Sequence, residues 1–165
     1  MIAWKYIRTY LLGLVFLYLQ LLVMPAFELG SVIPNILIPW LLYLIWTREL
    51  KVAMIVGFII GLMFDVTQPL TFGVHAFTFV LLCVSIDMFR QPFEAESKVA
   101  KILTIALVNI VFHLLQWFVY GIINAFDTQL MLLNLLSFVY NLAITFVVFW
   151  LMQFLSRLRV VVVSE

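Results

Sequence analysis

From residue 102 to 126, and again from 128 to 156, the chain carries no charged side chain. A helix needs about 20 consecutive apolar residues to cross the hydrocarbon core of a bilayer, and both stretches exceed that. The rest of the sequence follows suit: 67% of residues are hydrophobic and 10% are charged, where a typical soluble chain carries roughly 25% charge. That much apolar surface cannot be hidden inside 165 residues, so most of the exterior must face lipid. The expected fold is all-α, a single polytopic domain over residues 1–165. A net charge of +1 leaves no basic patch for nucleic acid. The lone Cys83 has no disulfide partner and reads as a small buried residue. The N-terminal MIAWKYIR, followed by TYLLGLVFLYLQLLVMPAF, begins like a signal peptide. Its apolar run is too long for one and lacks a small-residue cleavage pattern, so it is expected to remain as the first helix.

Charges, prolines and glycines divide the chain into six segments: residues 9–27, 31–46, 52–66, 72–89, 100–123 and 130–155. Pro34 is expected in the first turn of helix 2 and Pro39 to kink it, while Pro92 should stop helix 4. Helix 3 is short, to be completed by the turn that follows it or to end in protein-lined space. On this map Lys5, Arg8, Arg48, Lys51, Arg90, Lys98, Lys101, Arg157 and Arg159 all fall on one side. The opposite loops hold only the acids Glu28, Asp65 and Asp127. The positive-inside rule then places both termini in the cytoplasm, with six spans between them.

Polar residues in such helices are expected to face the bundle interior. Asn109, His113, Gln116, Tyr120 and Asn124 recur on helix 5 within an arc of ~80°, and Asn134, Ser137, Asn141 and Thr145 do so on helix 6. Two such stripes predict a polar seam, serving either as interhelical hydrogen bonds or as an internal cavity or partner face. His113 and His75 have no carboxylate at ligand spacing, so no metal and no cofactor is expected. His75, with Thr78 one turn on, should make packing hydrogen bonds.

Helix 3 places Ala53, Gly57, Gly61 and Asp65 at successive i+4 steps. Small residues at that spacing let two helix backbones approach closely, within the chain or against a partner. Asp65 then reads either as a solvated cap or as an acceptor organising the turn from Gln68 to Gly73. Asp87 and Arg90 have i,i+3 spacing for an ion pair. No HExxH, GxSxG or phosphate loop occurs, and Asp65 and Asp87 sit at opposite ends of adjacent helices, so an enzyme is not expected.

The stretch GFIIGLMFDVTQPLTFGVHAFTFVLL, residues 57–82, resembles the signature region of the MreD family of bacterial rod shape-determining membrane proteins. Gly57, Gly61 and Asp65 carry the likeness, followed by Leu70, Gly73 and Ala76 opening the next helix. The resemblance implies a scaffold in the cytoplasmic membrane that binds MreC, within a machinery including MreB, RodA and a class B penicillin-binding transpeptidase. It also implies a fold similar to the S-components of energy-coupling-factor transporters. The alternative function is therefore capture of a small nutrient, although helix 1 lacks the AxxxA pattern by which S-components dock.

Overall fold

The computed structural model describes residues 2–91, 97–124 and 126–163. Among them are six α-helices: α1 (Ile2–Leu22), α2 (Leu37–Thr47), α3 (Leu50–Asp65), α4 (Val74–Arg90), α5 (Lys98–Ile123) and α6 (Thr128–Val163). Short 3-10 turns, Met24–Phe27 and Pro69–Thr71, follow α1 and α3. There is no β-strand among the described residues. Two helical stretches, Lys98–Ile123 and Thr128–Ser156, are long and apolar enough to cross a membrane unaided.

The bundle is built around α2, which touches each of the other five helices. Its sequence, LIPWLLYLIWT, is apolar on every side, and a helix hydrophobic all round belongs in the interior. Leu37, Ile38, Trp40, Leu41, Leu42 and Ile45 are fully buried. Around this axis α3 packs most extensively on α4, and α5 on α6. The outer faces remain apolar: Leu132, Leu135, Val147 and Leu151 on α6 and Leu114, Phe118 and Ile122 on α5 are all exposed. An exterior of this kind needs lipid or protein to cover it.

Helix 2 departs from the expectation. It begins at Leu37 rather than residue 31, and at 11 residues it rises only ~16 Å, about half the hydrocarbon thickness. Pro34 lies outside it. Pro39 is the third helical residue, where the backbone N–H it lacks would have had no intrahelical partner, so it occupies the first turn instead of kinking the helix. Before it, Gly30 and Ser31 both take positive φ (57° and 66°), and Leu29 and Val32 exchange backbone hydrogen bonds of 2.9 and 3.1 Å across them, the pattern of a tight hairpin turn.

Two other boundaries move further, outward. α1 begins by Ile2 and α6 runs to Val163, so Arg8, Arg157 and Arg159 lie within helices instead of flanking them. α4 ends at Arg90, and Pro92, expected to stop it, lies outside the described residues. The Asp87–Arg90 pair forms at 2.7 Å. Lys101, expected as a loop cation, is buried in α5 with its Nζ 5.7 Å from the Trp46 ring centroid.

Candidate functional site

Asp65 ends α3 and is fully buried, so it is not a solvated cap. One carboxylate oxygen accepts the backbone N–H of His75 at 3.1 Å and lies 2.8 Å from His75 Nδ1; the other accepts the N–H of Ala76 at 3.0 Å. These are the second and third residues of α4, whose N–H groups have no partner within their own helix. Asp65 thus caps α4 from the preceding helix, with its negative charge at the positive end of that helix. The expected acceptor role is directed just past the Gln68 to Gly73 loop, at the first turn of α4. Spacing along the sequence also gave no sign of the pairing with His75. Residues ten apart cannot meet on one helix, but here they face each other across a hairpin.

The glycines make that cap possible. A Cβ placed on Gly61 would lie 2.7 Å from the Cα and 2.8 Å from the N of Ala76, closer than real side chains come to backbone. Gly57 faces Leu41 of α2, with Cys83 and Phe79 of α4 behind, and Ala53 is fully buried. The groove of small residues on α3 is therefore occupied by helices of the same chain. Gly73 serves the backbone rather than the packing. Nothing crowds it, but it begins α4 at φ 89°, a region that costs other residues ~1–2 kcal/mol.

The stripe on α5 divides among three neighbours. Asn109 accepts from the Thr145 hydroxyl on α6 at 3.4 Å. His113 Nδ1 lies 3.2 Å from Asn134 Oδ1, and Asn134 Nδ2 donates to the His113 carbonyl at 3.3 Å. Gln116 turns away from α6, placing its Nε2 3.0 Å from His75 Nε2 on α4. Tyr120 donates to Gln68 at 3.3 Å in the turn after α3, and Asn124 bonds back to its own helix. Asn141, expected to meet α5, instead accepts the backbone N–H of Asn35 at 2.6 Å.

Gln20 lies outside both stripes and still belongs to the site. Its Oε1 accepts the Ile36 N–H at 2.8 Å and its Nε2 donates to the Pro34 carbonyl at 3.1 Å, while Asn35 Oδ1 accepts the Leu37 N–H at 3.0 Å. Its one signal in the sequence is that of an amide alone in the apolar run of helix 1. Together Gln20, Asn35 and Asn141 satisfy the irregular backbone ahead of α2, which lipid could not.

These side chains surround a cavity of about 370 Å³. Gln20 and Asn35 line it with His75 and Gln116, and His113, Asn134 and Asn141 close its other wall. All lie toward the end of the bundle where α1, α3 and α5 finish. The cavity adjoins two others: a mouth reaching Ser31 and Asp127, and an apolar groove between α5 and α6 lined by Leu114, Trp117, Leu135 and Phe138. His113 and Asn134 belong to both the cavity and that groove.

The family model for the rod shape-determining protein MreD matches residues 4–158, nearly the whole chain. The chain belongs to the MreD family. No curated protein and no solved structure matches it. Membership in MreD carries a part in rod-shape determination and a place in a membrane, in keeping with the apolar exterior and the two long apolar helices. The geometry of the site is that of a cap: Asp65 and His75 are both engaged at the start of α4, and among the described residues no nucleophilic side chain is bonded to either.

Proposed function

We propose that this chain is a multi-pass scaffold of the bacterial cell-elongation machinery, binding MreC and so helping to regulate peptidoglycan synthesis and rod shape. RodA and a class B penicillin-binding transpeptidase belong to the wider complex. The observation that carries this reading is the family match over residues 4–158. Six spans in the cytoplasmic membrane, with both termini inside, accord with the one-sided basic residues. Partners would be met by the exposed apolar faces of α1, α5 and α6 rather than by the α3 groove, since Gly57 and Gly61 already contact α2 and α4.

The test is affinity purification of the chain from its native membrane in mild detergent, with identification of whatever accompanies it. Recovery of MreC supports the scaffold. An energising ATPase module without MreC would replace it with nutrient capture, the S-component-like alternative.

A further inference from the structure

Buried polar atoms are nearly always paired, and each exception asks for an explanation such as a bound molecule. Two exceptions stand on one face of α5. Asn134 Nδ2 donates to the His113 carbonyl, which turns its Oδ1 toward His113 Nδ1. The ring proton therefore sits on Nδ1, and His113 Nε2 is an acceptor with no partner. Across on α4, His75 donates through Nδ1 to Asp65 and accepts through Nε2 from Gln116 Nε2, one turn on from His113. Gln116 Oε1 is then left as a second acceptor with no partner. His113 and Gln116 are only 5% and 6% exposed, and both line the 370 Å³ cavity.

We infer that this cavity is a binding site for an uncharged group bearing several hydrogen-bond donors, of the sugar or polyol class. Two acceptors i,i+3 apart on α5 call for at least two donated hydrogens. The other polar side chains of the lining are amide and hydroxyl, set among Leu21, Ile33, Phe64 and Phe112, and the Asp65 carboxylate behind His75 is engaged by α4, so the cavity wall itself offers no formal charge to an ion. A volume of 370 Å³ falls within the ~300–1,000 Å³ of ligand pockets and accommodates a hexose. Two routes lead in. A free sugar could enter by the mouth beside Asp127, and a lipid headgroup could enter from the side with its chain along the apolar α5–α6 groove, past Leu135. The site stands apart from the scaffold reading, since neither MreC nor an ATPase takes part in it.

The test is thermal unfolding of the full chain in phosphatidylcholine nanodiscs under three conditions: alone, with monoglucosyl diacylglycerol in the disc, or with glucose in the buffer. At a hundredfold excess over the dissociation constant, a bound probe should raise the unfolding temperature by roughly 5–10 °C. A rise with the glycolipid alone identifies lateral entry of a headgroup, and Leu135→Trp on the exposed groove should then remove it. A rise with glucose as well identifies the open mouth. The same glycolipid with its sugar hydroxyls methylated should give no rise, because it retains shape without donors. Gln116→Met and His113→Phe locate the effect, each keeping side-chain volume while breaking the i,i+3 pair of acceptors on α5 and leaving the free acceptor elsewhere, on His75 Nε2 or Asn134 Oδ1. No rise with either probe overturns the inference, as does an equal rise with the methylated head or in a folded Gln116→Met or His113→Phe variant.

Discussion

Gly61→Ala adds one carbon, and the structure fixes where the damage goes. That carbon would sit 2.7–2.8 Å from the backbone of Ala76, whereas ordinary contacts of this kind are 3.4 Å or more, so α3 and α4 must separate by several tenths of an ångström. Overpacking of this sort costs ~1–3 kcal/mol. The same separation acts one turn further on, because Asp65 is i+4 from Gly61 and bonds the N–H of the very residue that is displaced. Weakening one charge-assisted hydrogen bond adds ~1.5–3 kcal/mol. The combined loss is ~2.5–6 kcal/mol, or roughly 5–24 °C in unfolding temperature for a chain of this size. Gly73→Ala is the comparison, since it meets open space and loses only through its positive φ, ~1–2 kcal/mol. Tryptophan fluorescence during heating in detergent would follow both variants. Because Gly61→Ala already strains the cap, combining it with Asp65→Asn should lose less than the two single losses added together. Strict additivity, or a Gly61→Ala variant as stable as Gly73→Ala, would refute the coupling between close packing and capping.

Gln20→Leu leaves the Ile36 N–H and Pro34 carbonyl without partners and Asn141→Leu strands the Asn35 N–H, each unpaired group costing ~1–3 kcal/mol. Gln20→Leu should therefore melt at the lower temperature, and unchanged melting of both would deny that these amides hold the segment before α2. Lys101→Met keeps the buried stem but removes the cation over Trp46, for an expected loss of ~0.5–2 kcal/mol; a gain in stability would contradict it. In a Cys83→Ser background, single cysteines at Glu28 and Asp127 should react with an impermeant thiol reagent from outside the cytoplasmic membrane, and cysteines at Arg48 and Lys98 should not. The opposite labelling would invert the proposed orientation.

The periodic features of this chain are legible in its sequence, and its meetings between distant residues are not. Charge-free runs locate α5 and α6, and i+4 spacing puts Gly57, Gly61 and Asp65 on one face of α3. What that face meets depends on the hairpin with α4, which brings His75 to Asp65. Likewise the arc on α5 is regular, but the direction each residue faces along the helix differs with depth. Asn109 and His113 reach α6, while Gln116 and Tyr120, nearer the acidic end, reach α4 and the turn before it. The start of helix 2 is hidden because Pro34 and Asn35 suit a first helical turn as well as the segment ahead of one. That start is fixed from outside, by Gln20 and Asn141 offering better partners to residues 34–36 than another helical turn would.

The shortness of α2 also accounts for where the polar residues gather. A full-length central helix would satisfy its own backbone, and an apolar lining would suit it best. Since the axis of the bundle is helical only from Leu37 onward, the other half of the axial space holds irregular backbone with unpaired N–H and C=O groups. Amides are needed at that level, and Gln20 on α1, Asn35 within the segment and Asn141 on α6 supply them. An extended segment also fills less volume than a helix with its side chains, leaving room beside it, and the cavity lies in that room, bounded by Ile33 and Asn35 on one side and α5 on the other. The broken helix, the amide cluster and the hollow are thus one feature of the fold. Converting residues 31–36 to helix by removing Pro34 and the positive-φ turn at Gly30 and Ser31 should close the cavity and make Gln20 and Asn141 dispensable together.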